Sequence, residues 1–266
     1  MSQKKKTKKV KLLELLVEKE IFSDRKKAKS WILSGKVIVN DQRIDKAGQM
    51  VPKNANIRIK GVNRYVGKGG FKLEGALSDL NVNVIGKTVL DAGASTGGFT
   101  DCLLQHGAKR VYAIDAGYGS LAGKLRIDKR VVVFERTNIS DISPHRLKPL
   151  PSLATLDLSY ISLRKAIPVV SKLLEPDGEM ICLVKPLFEI QDAAIRRSGI
   201  IDKPDDYEKI LFDLIVYIEH LGLKFMDVTR SQLPGEKGTR EFFIRISKDL
   251  IKNARQFDIK CIVGSA

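Results

Sequence analysis

The stretch Thr88-Val-Leu-Asp-Ala-Gly-Ala-Ser-Thr-Gly-Gly-Phe-Thr100, answered downstream by Val111-Tyr-Ala-Ile-Asp115, decides the fold. An apolar run ending in an acid, a turn holding Gly93, Gly97 and Gly98, and a second apolar run ending in an acid spell strand, turn, helix, strand. Glycines at such a turn let the backbone bend sharply and approach a ligand, and an acid about 20 residues on can accept hydrogen bonds from a ribose diol. The spacing differs from the G-x-G-x-x-G that makes room for a dinucleotide pyrophosphate. It suits a ligand carrying adenosine without one, S-adenosylmethionine above all. Asp91, Gly93, Ala94, Ser95, Gly97, Gly98, Phe99 and Asp115 are the residues this reading places at the cofactor.

Outward from the turn, strand-like runs at about 87–92, 111–115, 131–134, 153–158, 179–184, 224–229 and 240–246 alternate with helical segments near 71–80, 97–106, 161–174 and 205–221. Seven strands, the last two close in sequence, predict an α/β unit with a mostly parallel sheet and an antiparallel hairpin at one edge. Ligands of such sheets bind beyond the carboxyl ends of the strands. The candidates there are Asp91, Asp115, Asn138, Asp157, Lys185 and Glu241. An apolar strand ending in lysine, Ile181-Cys-Leu-Val-Lys185, stands out because lysine is rarely buried unpaired. With Asp157 closing the neighbouring strand, a lysine–carboxylate site is the expectation.

The 266 residues carry a net charge of +16. Residues 1–64 hold 18 Lys and Arg against 6 Asp and Glu, so +12 of that lies in the first quarter. Such asymmetry implies a nucleic-acid contact module joined to a nearly balanced unit. Lys11-Leu-Leu-Glu-Leu-Leu-Val-Glu has helical spacing. Ser23-Asp-Arg-Lys-Lys-Ala-Lys-Ser-Trp-Ile-Leu begins with a capping residue and continues as a second helix that Gly35 ends. A hairpin around Asn40-Asp41 and a strand at 56–60 complete the module. Arg25, Lys26, Lys27 and Lys29, with Lys36 and Arg64, are the expected RNA contacts, the first four facing phosphate together with free helix N–H groups. The expected organisation is a basic tail at 1–8, a small module at 9–64, a linker at 65–70 and the α/β unit at 71–266.

Cys102, Cys182 and Cys261 lie apart, with no partner at metal-ligand spacing, and read as reduced thiols with no metal site. No apolar run reaches the roughly 18 residues that span a bilayer, and no signal-peptide pattern follows Met1, so a cytoplasmic protein without membrane contact is expected. Ser95 and Ser159 lack a nearby His–Asp pair, and His106, His145 and His220 are scattered, so a hydrolase triad is not expected.

Ser23-Asp-Arg-Lys-Lys-Ala-Lys followed by Ser34-Gly-Lys-Val-Ile-Val-Asn resembles the S-four RNA-binding domain, with Lys11-Leu-Leu where Arg-Leu-Asp is common. The ordered set Lys72, Asp157, Lys185, Glu241 resembles the Lys-Asp-Lys-Glu tetrad of the FtsJ-like ribose 2′-O-methyltransferases. Gly69-Gly-Phe-Lys-Leu, the glycine turn, Arg136-Thr-Asn, Asp157-Leu-Ser-Tyr-Ile-Ser-Leu and Lys185-Pro-Leu-Phe-Glu extend the likeness to the TlyA family, often labelled hemolysins, nearly end to end. Leu187 and Thr239 depart from the glutamine and asparagine common there. The resemblance implies a Rossmann-like S-adenosylmethionine methyltransferase fold plus a small α+β S-four domain, and methylation of cytidine 2′-hydroxyls in ribosomal RNA or a ribosomal subunit. It further implies adenine contact by Asn138 and a lysine base kept neutral by burial and cationic neighbours. A membrane-active hemolysin and a catalytically inactive ribosome assembly factor are the competing readings.

Overall fold

The computed structural model describes residues 9–19, 21–22, 24–61, 64–190, 192–201, 203–235 and 238–264. The basic tail at 1–8 and Ser23 therefore lie outside the described residues. The chain divides into two compact units between Arg64 and Tyr65.

The first unit runs β1 (Lys9–Lys11), α1 (Leu12–Glu18), α2 (Arg25–Leu33), β2 (Val37–Val39), β3 (Gln42–Ile44), β4 (Met50–Pro52) and β5 (Ile57–Ile59). Leu12, Leu15 and Leu16 recur at helical spacing and meet Ala28, Ile32, Val37 and Val39 in one core. Asn40 and Asp41 both take positive φ, as a tight two-residue hairpin between β2 and β3 requires. β2 is the centre of an antiparallel sheet with β3 and β5, and β1 pairs with β4, a ribbon the sequence pattern did not announce. The cap of α2 is Asp24, whose carboxylate accepts the N–H of Lys27 at 2.7 Å.

The second unit contains α3 (Lys68–Asp79), β6 (Thr88–Ala92), α4 (Gly98–Gln105), β7 (Arg110–Ile114), α5 (Gly123–Arg126), β8 (Val131–Phe134), β9 (Leu153–Leu156), α6 (Leu163–Ser171), β10 (Glu179–Val184), α7 (Pro186–Glu189), α8 (Ala193–Ser198), α9 (Pro204–His220), β11 (Lys224–Arg230), β12 (Phe242–Ser247) and α10 (Ile259–Gly264). Its sheet order is β11-β12-β10-β9-β6-β7-β8. β12 runs antiparallel to both neighbours, so the hairpin forms the edge with β11 outermost. Side chains alternate across the sheet: Leu90 and Ala92 face the cluster under α6 and α9, while Val89 faces the one under α3 and α4. Pro168 sits inside α6 without an N–H for the carbonyl of Arg164, and the Tyr217 hydroxyl donates to that carbonyl instead at 2.8 Å.

Residues 65–70, expected as a linker, belong to the second unit. Tyr65 is fully buried and packs edge-on against Phe71 at 5.1 Å, the N–H of Val66 donates to Asp101 Oδ2 at 2.9 Å, and α3 has begun by Lys68. A large aromatic side chain with this much apolar surface to bury draws its backbone into the core. Among the described residues no helix is long and apolar enough to cross a membrane.

Candidate active site

Four segments far apart in sequence meet at the carboxyl edge of the sheet. Because β12 is antiparallel to β10, with Phe242 opposite Val184, the residue before Phe242 arrives beside the one after Val184. Glu241 and Lys185 are thereby neighbours. Parallel pairing of β9 with β10 brings Asp157 to the same edge, and Lys72 reaches it from α3. The result is two ion pairs. Lys72 Nζ is 2.5 Å from Glu241 Oε2, and Lys185 Nζ is 2.7 Å from Asp157 Oδ1 and donates to Ser159 Oγ at 3.1 Å. All four line one cavity of about 320 Å³, walled on its outer side by Tyr160, Leu187, Phe188 and Thr239. Each ammonium faces a carboxylate, and both lysines line the same cavity.

A second, smaller cavity lies over the glycine turn, lined by Gly69, Gly93, Ala94, Ser95, Thr96, Gly98, Phe99 and Asp157. Asp157 belongs to both cavities, so the turn and the tetrad share a wall. Gly93 has φ +85, and a Cβ there would lie 2.4 Å from the carbonyl oxygen of Asp157. A Cβ on Gly98 would lie 3.0 Å from the amide of Gly70, so α3 and α4 approach with no side chain between them. Glycine at both positions lets these segments pack backbone to backbone beneath the cavity, which leaves the turn open above for a ligand to approach.

Two acids support this turn from opposite sides. Asp115 accepts the N–H of Ser95 at 2.7 Å and of Gly117 at 2.6 Å, holding the turn to the end of β7. Asp91 does not reach the cavity, contrary to the expected ligand contact. It is wholly buried, accepting the hydroxyls of Thr100 at 2.6 Å and Thr155 at 3.0 Å, and burial pushes its carboxyl up to about 6 despite those bonds. It acts through the backbone it tethers. Asn138 is exposed and lines neither cavity. Its side chain accepts the N–H of Ser140 at the start of a short 3-10 turn. Gly97 has left-handed φ and caps α4.

Around the tetrad, sequence reasoning missed the groups that hold it in place. Glu189 is buried and accepts Ser162 Oγ at 2.7 Å and the N–H of Leu163 at 2.6 Å, joining the segment after Lys185 to the segment after Asp157. Burial raises its carboxyl above the usual range against those bonds. Tyr160, with φ +65 and 91% exposed, packs on Phe188 at 5.6 Å across the same two segments. Arg240, beside Glu241, donates to the carbonyl of Val263 in α10 at 2.6 Å and lies 5.8 Å from the Tyr207 ring centre. The available signal was that these residues lie inside the same short motifs as the tetrad. Cys182 is buried, which pushes its thiol up and leaves it unreactive.

In the first unit Lys26, Lys27 and Lys29 are exposed on α2. Arg25 instead pairs with Glu14 of α1, and Lys36 lies 4.8 Å from the Trp31 ring centre. Asp24 occupies the N-terminus of α2, which corrects the expectation of N–H groups open to phosphate there. Arg64 is exposed. Among the described residues no group of three or more His, Cys, Asp or Glu could hold a metal ion.

A seven-stranded sheet of this order, with a glycine turn after its first strand and charged residues at its carboxyl edge, defines the architecture as methyltransferase-like. The FtsJ-like methyltransferase family model matches residues 65–248 and the S4 domain model residues 10–57. Hemolysin A of Brachyspira hyodysenteriae is 40% identical, over 82% of this chain and 91% of its own. The 16S/23S rRNA (cytidine-2′-O)-methyltransferase TlyA of Mycobacterium tuberculosis is 35% identical over 86% of each chain. The solved structure of a Streptococcus thermophilus protein that carries a hemolysin name superposes with a TM-score of 0.72 at 34% identity, covering 97% of this chain and 96% of that one. The chain belongs to the FtsJ-like methyltransferase family, among its TlyA and hemolysin A members.

Proposed function

We propose that this protein transfers a methyl group from S-adenosylmethionine to a ribose 2′-hydroxyl of ribosomal RNA, with cytidine as the target nucleoside and the cytoplasm as the site of action. The observation that carries the reading is the shared wall: Asp157 lines both the glycine-turn cradle and the cavity holding Lys72, Lys185 and Glu241. S-adenosylmethionine bound over the turn supplies a methyl group on a sulfonium, an electrophile that needs no metal. As the ribose oxygen bonds to the methyl carbon, the C–S bond breaks and S-adenosylhomocysteine leaves, while Lys185, paired with Asp157 at 2.7 Å, holds the attacking hydroxyl in line and relays the proton it sheds. The Lys72–Glu241 pair orients the ribose from the other side. The S4 unit, with Lys26, Lys27, Lys29 and Lys36, supplies the grip on RNA, and the relatives' names point to ribosomal RNA as its source.

Purified protein given labelled S-adenosylmethionine and ribosomal subunits or their RNA should incorporate label. Lys185→Ala should abolish incorporation while leaving cofactor binding intact. Cofactor binding without transfer to any subunit or RNA would leave the assembly-factor reading standing, and leakage from anionic liposomes would support the hemolysin reading.

A further inference from the structure

The outer face of the three-stranded sheet in the first unit carries a second cluster of cations, adjoining those of α2. Val37 and Val39 of β2 point into the core, so Ile38 between them points out. The register places Arg43 of β3 opposite Ile38 on one side and Arg58 of β5 opposite it on the other. At the end of β2, the N–H of Lys60 donates to the carbonyl of Lys36 at 2.6 Å, which sets those two lysines side by side on the same face. Arg43, Arg58, Lys36 and Lys60 are all exposed. The Arg43 guanidinium lies over Gly35, where an added Cβ would come within 2.1 Å of its Nε, so this group is held against backbone.

Two cations elsewhere in the unit are matched locally, Arg25 with Glu14 and Lys53 with Glu18. On the sheet face, among the described residues, neither arginine has an ion-pair partner. Asp45 follows Ile44, the partner of Val37, and is exposed; among the described residues no ion pair joins it to Lys36. Two guanidinium-bearing positions a strand apart on either side of one aliphatic residue, roughly 10 Å between backbones, repel one another modestly at physiological salt. An anionic partner removes that cost. The strands of this face carry no aromatic ring, and the nearest one, Trp31 of α2, already has the Lys36 ammonium over it at 4.8 Å, whereas planar guanidinium forks match phosphate oxygens.

We infer that this sheet face, through Arg43 and Arg58, is a second, sequence-independent contact surface for the RNA phosphate backbone, adjoining the α2 lysines at Lys36. The inference rests on the reading of the first unit as the RNA-gripping one. A flat array of four cations suits the backbone of a paired RNA segment better than a splayed loop, whose recognition needs stacking platforms.

The test uses the full chain and a fluorescein-labelled RNA hairpin with a stem of about 20 base pairs, a length that offers one duplex face to several cations. Affinity is measured across a range of KCl concentrations. Arg43→Gln/Arg58→Gln should flatten the slope of log affinity against log salt by about 1 to 2, and lower affinity about ten-fold or more near 0.1 M KCl. Arg43→Lys/Arg58→Lys should keep the wild-type slope. Thermal midpoint and S-adenosylmethionine affinity should stay unchanged, since the four side chains are exposed. A wild-type slope in the Gln double variant overturns the inference, as does failure of the wild-type chain to bind the hairpin. Loss of binding to isolated ribosomal subunits with hairpin binding intact also overturns it and assigns the face to a protein partner. Methyl transfer to subunits, measured on the same wild-type preparation, reports on the proposed activity independently of any of these outcomes.

Discussion

Asp91→Asn isolates the energetic cost of the buried acid beneath the cofactor turn. Burial lifts the Asp91 carboxyl from 3.8 to about 6, only partly offset by the hydroxyls of Thr100 and Thr155. A carboxyl whose folded value lies above its unfolded value favours folding most when protonated. Its contribution is complete below about pH 3.8 and is lost as pH rises through 6. A shift of about two units corresponds to about 3 kcal/mol in full, of which about 2 kcal/mol develops between roughly pH 4.5 and 7.5. Asparagine cannot ionise, yet its carbonyl oxygen can still accept one threonine hydroxyl and its amide can donate to the other, so the turn keeps its tether. Urea unfolding of both proteins, followed by circular dichroism at several pH values in that window, reads the difference directly. The variant should gain on the wild type by about 2 kcal/mol from the acid end to the alkaline end. Parallel stability curves would refute the placement of a titrating carboxyl in this core.

Gly93→Ala places a Cβ 2.4 Å from the Asp157 carbonyl at φ +85, so it should lower stability by at least about 1 to 2 kcal/mol, roughly 2 to 8 °C in Tm, and weaken S-adenosylmethionine binding in calorimetry. Glu189→Ala strands the buried N–H of Leu163, at about 1 to 3 kcal/mol, and frees the two motif segments. It should lower kcat ten-fold or more with cofactor affinity intact, and Glu189→Gln should restore most of the rate. Arg240→Ala removes the bond to Val263 and should lower kcat more than it raises KM in methyl-transfer kinetics, by loosening Glu241.

The strand–turn–helix around Asp91 was readable because hydrophobic period and glycine position are local properties. All seven strands of the large sheet lie within a few residues of where alternation placed them. What the sequence did not disclose depends on partners distant in the chain. The ribbon of β1 with β4 pairs Lys9 with Pro52, and a three-residue strand bounded by lysines carries no period of its own. The stretch at 65–70 looked like a linker because its glycines and charges dominate the composition, whereas one buried side chain, Tyr65, fixes where it goes. Asp91 shows the same limit at the site. An acid ending a strand before a glycine turn reads as a ligand contact, and only the positions of Thr100 and Thr155 reveal that both of its oxygens are already taken.

The tetrad residues span positions 72 to 241, and no local rule could have paired them. Their pairing follows from the one strand that breaks the parallel pattern. If β12 ran parallel to β10, its first residue would lie at the opposite end of the sheet, and Glu241 would sit far from Lys72 and Lys185. Reversal of that single strand brings its amino end to the carboxyl edge and sets Glu241 beside Lys185 through the Val184–Phe242 register. The reversed strand needs a hairpin from β11, and that hairpin closes at Ser231, whose N–H donates to the carbonyl of Glu241 at 2.8 Å. The bond that ends the hairpin therefore holds the backbone of the carboxylate that pairs with Lys72, so the sheet's topology and the geometry of the site are set by the same residue.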